Sequence, residues 1–367
     1  MKILIAGGGV GGLALAQALR QGGLDVAVYE QGPTPRTRNQ GYRIHINADG
    51  DEALRACLPP SVLDLVRRTS GTNDDVMGAW THRLEPVMSQ NFPGVPDEVI
   101  TNVDRNAFRA ALLTGLDDVV HFGRTVTGYE VTGDGRVRVS FAEGGFDEGD
   151  LLVGTDGVGS AVRRGLLPHA VVDDLGVRCV YGRLTLTCEP LPEALRYGFN
   201  WVADDTGLGA GFAPVRYREA PEGAADYLMV TLVASPERLG AEVFGRTPAD
   251  LWRLAVDATG DWHPDVRRLV GGADRDSFLG IAVRAGRRVE PWKSGPVTLL
   301  GDAAHTMPPA GGVGANTALQ DAATLAGELL GGGGVAAYER AMIPRGFDTV
   351  ESSVEMAVRM FGATAVV

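Results

Sequence analysis

The stretch Lys2-Ile3-Leu4-Ile5-Ala6-Gly7-Gly8-Gly9-Val10-Gly11-Gly12 decides how the chain folds at its start. Ile3 to Ala6 is a short apolar run of the kind that forms a buried strand, and the glycines follow it at once. Gly7, Gly9 and Gly12 satisfy the spacing G-x-G-x-x-G. In that spacing the first glycine permits a tight turn, the second lets a pyrophosphate approach the backbone, and the third lets helix and strand pack closely. A helix over residues 11–21 and a second strand over residues 25–30 complete a β-α-β unit, with Gly22 and Gly23 stopping the helix. The helix opening at Val10 and Gly11 would turn its free N–H groups toward the phosphates. Glu30 follows Gly12 by 18 residues, at the end of the second strand. A carboxylate there can accept both hydroxyls of an adenosine ribose and would repel a phosphorylated one. The block therefore predicts a dinucleotide site without separating NAD from FAD.

The rest of the composition suits a folded enzyme. The chain has 367 residues, of which 44% are hydrophobic and 22% charged, enough for two domains with a sizeable core. A net charge of -12 and the lack of a Lys/Arg stripe disfavour nucleic acid as a partner. Cys57, Cys179 and Cys188 are odd in number and lack CxxC spacing, so neither a disulfide framework nor a metal site is expected. The N-terminal strand leads straight into glycines without a cleavage site, and no stretch of about 20 apolar residues occurs. A cytoplasmic protein with no membrane partner is the expectation. Nothing in the sequence fixes an oligomeric state.

Further along, a helix is expected over residues 106–113, with Phe108, Ala111 and Leu112 on one face, and a β-meander over residues 119–141. Between about 176 and 282 the pattern turns to strand-like runs with one helix near residues 248–258. A dinucleotide-type strand returns at residues 297–302, followed by a helix over residues 316–330 that Gly331 to Gly334 would end. Residues 335–361 suggest one or two helices, interrupted near Pro344 and Gly346.

Two distant segments sharpen the reading. Gly301-Asp302-Ala303-Ala304-His305-Thr306-Met307-Pro308-Pro309, with Gly311-Gly312-Val313-Gly314-Ala315-Asn316, resembles the GD motif of the flavoprotein aromatic hydroxylases. Gly154-Thr155-Asp156-Gly157-Val158-Gly159-Ser160-Ala161-Val162-Arg163 resembles their DG motif. With the N-terminal glycines, these blocks stand in the order found in the para-hydroxybenzoate hydroxylase-like (group A) FAD-dependent monooxygenases. The resemblance covers most of the chain and is weakest over residues 170–285.

It implies an α/β fold, with a Rossmann-like FAD-binding domain of glutathione reductase type and a second, mainly β-sheet substrate domain. The FAD-binding part would be discontinuous, taking residues 1–75, 100–170 and 285–367, and the substrate part residues 76–99 and 171–284. Asp302 would hold ribityl hydroxyls, since a carboxylate accepts two hydrogen bonds. Gly312, Gly314, Ala315 and Asn316 would bring a helix N-terminus to the flavin pyrimidine edge, with Pro309 beside the reactive edge. Asp156 would sit near the pyrophosphate, and Arg105 would reach phosphate or ribityl atoms. Arg43, in Gly41-Tyr42-Arg43-Ile44-His45-Ile46, would run beside the flavin. A lone histidine in a strand or turn is more often structural, so neither His45 nor His305 is assigned a catalytic role. No catalytic side chain is named.

The implied reaction is reduction of FAD by transiently docked NADH or NADPH, capture of oxygen as a C4a-(hydro)peroxide, and insertion of one oxygen atom into a small organic substrate, aromatic or polyketide-like by the family's habits. A reductase or dehydrogenase without oxygen insertion would share every FAD motif. A FAD-bound non-redox catalyst of secondary metabolism would also. Tyr181, Phe199, Trp201 and Phe212 are candidate pocket aromatics, although aromatics at strand spacing commonly belong to a core.

Overall fold

The structure is a computed structural model that describes residues 1–35, 42–73, 76–92, 95–186, 191–240 and 243–364. Gly41 and Cys188 lie outside these. In chain order the first elements are β1 (Lys2–Ala6), α1 (Val10–Gln21), β2 (Asp25–Glu30), β3 (Arg43–His45), α2 (Ala48–Cys57) and α3 (Pro60–Arg68). Then come β4 (Val76–Thr81), β5 (Pro86–Asn91), β6 (Asn102–Asp104), α4 (Arg105–Leu113), β7 (Val120–Phe122), β8 (Val126–Val131), β9 (Val137–Phe141), β10 (Phe146–Gly149), β11 (Leu151–Gly154) and α5 (Ala161–Leu166). The sheet-rich stretch holds β12 (Val172–Thr185), β13 (Phe199–Ala203), β14 (Gly209–Val215), β15 (Tyr227–Ala234), α6 (Pro236–Leu239), α7 (Pro248–Ala258), α8 (Pro264–Gly271) and β16 (Leu279–Gly286). β17 (Val297–Leu299), α9 (Asp302–His305), α10 (Gly314–Gly331) and α11 (Gly334–Phe361) close the chain.

Two large sheets organise these elements. The first is five-stranded in the order β17-β11-β1-β2-β7 and parallel throughout. Its central strand β1 is buried from Ile3 to Ala6 because α1 and the meander strand β10 pack against it, which is why it reads as a continuous apolar run. α1 is buried from Val10 to Leu19, packed on β1, β2, α4 and α10. The second sheet is seven-stranded, in the order β16-β12-β15-β14-β13-β4-β5. It is antiparallel except between β13 and β4. The α/β class with a second sheet-rich part follows the sequence expectation.

Two local expectations need correction. Residues 120–122 do not belong to the meander: β7 pairs parallel with β2, and the antiparallel meander is β10-β9-β8. Short apolar runs carry no mark of which partner they take. α11 also runs unbroken through Pro344. A proline in a helix interior costs about 3 kcal/mol. Tyr338, Met342, Phe347 and Val350 are buried around it, at roughly 1.5–3 kcal/mol each, and their packing outweighs the lost bond. No helix among the described residues is long and apolar enough to cross a membrane.

Candidate functional site

The C-terminal ends of β1, β11 and β17 and the cavity-side face of the seven-stranded sheet enclose one cavity of about 1870 Å³. At its first end the glycines divide their tasks. Gly7 has φ +112°, and a Cβ there would collide with the Thr155 carbonyl. A Cβ on Gly12 would strike the Gly7 carbonyl, and one on Gly11 would strike Leu300 and Ala318 of the neighbouring elements. Gly9 alone of these four has open space where its Cβ would stand, and that space is the cavity. Val10 begins α1 at the same edge, and no side chain caps the helix N-terminus. Such an end offers several unpaired N–H groups to an anion.

Glu30 also faces the cavity, yet it is tied into the turn. Its Oε2 accepts from Gly8 N at 3.0 Å and its Oε1 from Gly32 N at 2.7 Å. Arg109, 7% exposed, brings Nη2 to 3.5 Å from the same carboxylate and donates from Nε to the Gly8 carbonyl at 2.9 Å. Arg109 is a site residue that sequence reasoning missed. Its one signal is its place a turn after Arg105 on the same helix.

At the middle of the cavity the DG and GD segments meet. The Asp156 carboxylate accepts from Ala161 N and Val162 N at 2.6 and 3.3 Å and from the Ser160 hydroxyl, so it caps α5 while lining the cavity. Arg163 of the same segment donates to the Asp302 and Ala303 carbonyls at 3.1 and 3.0 Å. Gly301 turns with φ +63° and presents Asp302 at the start of α9. The Asp302 side chain is exposed toward the cavity while protein lines it on the other sides, and this partial enclosure raises its pKa, opposed by His305, Arg105 and Arg163. Arg105 lines the cavity close enough to feel both Asp302 and Tyr181.

The loop before α10 supplies the far end. Gly311 and Gly312 have φ +80° and +66°, and α10 starts at Gly314 with no side-chain cap. Pro309, Gly312, Gly314 and Ala315 line the cavity, as do Arg43 and His45 of β3. Asn316 does not. It is 1% exposed, accepts from Asn47 N at 3.1 Å and donates to the His45 and Gly312 carbonyls at 2.9 and 3.1 Å. It clamps β3 to the loop instead. His45 is held below its ordinary pKa by burial and by Arg43. His305 is fully buried and bonded to Asp321.

Facing this row, the seven-stranded sheet contributes Tyr181, Phe199, Trp201, Met229 and Ile281. Phe212 is not among them, being fully buried in the core on the sheet's other side. A Cβ on Gly209 would strike the Trp201 ring and one on Gly211 would meet Phe199, so these glycines let the two rings lie across β14. Burial raises the Tyr181 phenol well above its usual value, so it is neutral and can donate. The whole cavity exceeds the roughly 300–1,000 Å³ of a single small-ligand site. An open Gly9, two uncapped helix N-termini and one accessible carboxylate between them fit an extended dinucleotide. Space remains against the sheet for a second molecule.

The fold and this cradle thus define a dinucleotide-binding flavoprotein scaffold. Residues 5–64 match the NAD(P)-binding Rossmann-like domain family and residues 279–332 the FAD binding domain family. The chain is 31% identical over 98% of its length to the dual O-methyltransferase/FAD-dependent monooxygenase CTB3 of Cercospora beticola, covering 46% of that protein. It is 29% identical over 90% of its length to the chloroplastic zeaxanthin epoxidase of Prunus armeniaca, covering 48% of it. The chain therefore spans about half the length of the curated relatives it matches. Among solved structures, a putative FAD containing monooxygenase from Photorhabdus luminescens superposes with a TM-score of 0.85 at 28% identity, with 98% of each chain covered. HpxO of Klebsiella pneumoniae, complexed with FAD and uric acid, shares the fold with a TM-score of 0.82 at 23% identity, covering 99% of this chain and 89% of that one. In sequence and in fold the chain is thus similar to FAD-dependent monooxygenases, and it carries matches to the FAD binding and NAD(P)-binding Rossmann-like families.

Proposed function

We propose that the chain is a NADH- or NADPH-driven monooxygenase that places one oxygen atom from dioxygen into a small organic substrate, aromatic or polyketide-like. The observation that carries the reading is the accessible Asp302 between two uncapped helix N-termini, opposite an aromatic sheet wall. When bound, FAD supplies the redox chemistry: it takes two electrons from the nicotinamide nucleotide and activates dioxygen.

The chain's own residues bind and orient. Gly7, Gly9, Val10, Gly11 and Gly12, with Asp156 behind them, would cradle the pyrophosphate at the start of α1. Glu30 would accept the adenosine ribose, since a carboxylate has lone pairs beyond those used by Gly8 and Gly32. Asp302, after Gly301, would accept ribityl hydroxyls, with Arg105 and Arg43 along the same side. Pro309, Gly312, Gly314 and Ala315 would set the N–H groups of α10 toward the pyrimidine edge, while Asn316 holds that loop in place. Tyr181, Phe199 and Trp201 would seat the substrate and keep water out.

In this reading residues 1–75, 100–170 and 285–367 form the FAD-binding part and residues 76–99 and 171–284 the substrate part. The reductant docks transiently, and the reaction takes place in the cytoplasm. Turnover under labelled dioxygen tests the reading, with one labelled atom expected in product and the other in water. Product formed at the normal rate without oxygen would overturn it.

A further inference from the structure

A group of buried charges behind the cavity wall is not used by the FAD contacts themselves. Asp321, in the middle of α10, is fully buried. Its Oδ2 accepts from Gly301 N at 3.0 Å and is 2.6 Å from His305 Nε2, and its Oδ1 accepts from Arg345 Nη2 at 2.8 Å. One carboxylate thus joins the β17–α9 turn, the end of α9 and α11. His305 is itself fully buried, and Gly346 lies so close that a Cβ there would strike the imidazole.

Asp302 sits inside this frame. The residue before it is fixed through Gly301 N, and its own carbonyl accepts from Arg163 Nη1 at 3.1 Å and from the Thr306 hydroxyl at 2.7 Å. Gly301 has φ +63°, a backbone conformation that glycine tolerates and that decides where the next side chain points. We propose that Asp321 is the positioning residue that aims the Asp302 carboxylate into the cavity, with His305, held by Asp321, bracing the same turn. The inference rests on the FAD reading and assigns the network to its ribityl half.

Charge supports what geometry suggests. Asp302 is exposed toward the cavity but enclosed on its other sides, which partly favours its neutral form, and a protonated carboxyl would be a poor acceptor for two hydroxyls. The cations facing it are His305 of α9, Arg105 of α4 and Arg163 of α5. Facing His305 are Asp321 of α10 and Asp302, with Arg345 of α11 on the far side of Asp321. Tyr338 of α11 adds a neutral phenol that donates to the Leu299 carbonyl at 2.8 Å. From β16, Gly286 N donates to the carbonyl of Thr306, just after α9, at 2.8 Å. Burial alone would neutralise His305, but the Asp321 contact prevails and raises its pKa. Removing His305 should therefore move the Asp302 proton loss to higher pH.

The test uses the flavin-free chain, with FAD as one probe and ADP, which carries only the adenosine half, as the other. H305Q and D321N should each weaken FAD about tenfold near pH 7 while leaving ADP unchanged. In H305Q the lost FAD affinity should recover as pH rises, because without His305 the Asp302 proton is lost at higher pH, and the unaltered chain should change less over the same range. Equal weakening of FAD and ADP would overturn the inference, because a structural fault would touch both halves. So would a loss in H305Q that is the same at every pH, or unchanged FAD affinity in both variants. Should D321N fail to fold, H305Q carries the decision. An unaltered chain that binds neither probe would instead remove the FAD reading itself, and this inference with it.

Discussion

Glu30 stands at the first end of the cavity and Asp302 at its middle, and their surroundings give their substitutions different consequences. Glu30 holds Gly8 and Gly32 as well as facing the cavity, so E30A should both weaken FAD by on the order of 2–4 kcal/mol and loosen the turn. D302A should cost a similar amount of FAD affinity with little change in the melting temperature of the flavin-free chain, because its side chain holds no backbone group. Titration with FAD and thermal melting separate the two. Normal FAD affinity in both variants would show the cofactor path to be misplaced. The His305 to Asp321 pair also makes a stability prediction. The His305 pKa is raised on folding, so its contribution is present below about pH 6.5 and is lost as pH rises through the folded value. Asp321 is lowered, so its contribution is present above about pH 4 and is lost as pH falls through the folded value. H305Q should therefore lower the melting temperature more below about pH 6.5 than at alkaline pH, where the imidazole has lost its proton. At this scale the sequence disclosed Glu30 and Asp302 because each follows a strand within a recognisable spacing. Arg109 stayed hidden because its partners, Gly8 and Glu30, are 101 and about 80 residues away in sequence and meet it only after folding.

The turn and helix of the first β-α-β unit separate two kinds of glycine. Gly9 meets nothing but cavity, so G9A should fold normally and bind FAD poorly, since the methyl group would stand where a pyrophosphate approaches. Gly7 combines φ +112° with a collision against Thr155, so G7A should destabilise the flavin-free chain by about 1–3 kcal/mol, visible in denaturant unfolding. Equal stability losses in the two variants would show that Gly9 is part of the packing. The spacing of these glycines was legible because their constraint is local. The fate of residues 120–122 and of Pro344 was not. The strand chooses β2 across the sheet, and the helix survives its proline by burying side chains against α10 and α9, both of which are tertiary facts.

For the whole molecule, oxidation of NADH or NADPH by the FAD-loaded chain should be slow alone and faster with its true substrate, measured by loss of nicotinamide absorbance. Rapid oxidation without substrate would instead favour a reductase. The two-sheet plan was readable because a parallel, apolar-run pattern gives way to strand runs of another kind and then returns. The substrate wall was only partly readable: Tyr181, Phe199 and Trp201 face the cavity and Phe212 does not, a distinction set by which side of the sheet each meets. One element touches both sides of the cavity. α11 has 28 residues, hence a length of about 42 Å. Near its middle Arg345 grips Asp321, further on Met356 lies against Gly311, and at its end Phe361 sits 5.2 Å from the Trp201 ring. Such a helix behaves as a splint laid across a joint. Pressure from an occupant on the Trp201 side would reach the turn beside Asp302 as a push along a stiff rod, so the two ends of the cavity need share no atom to sense one another.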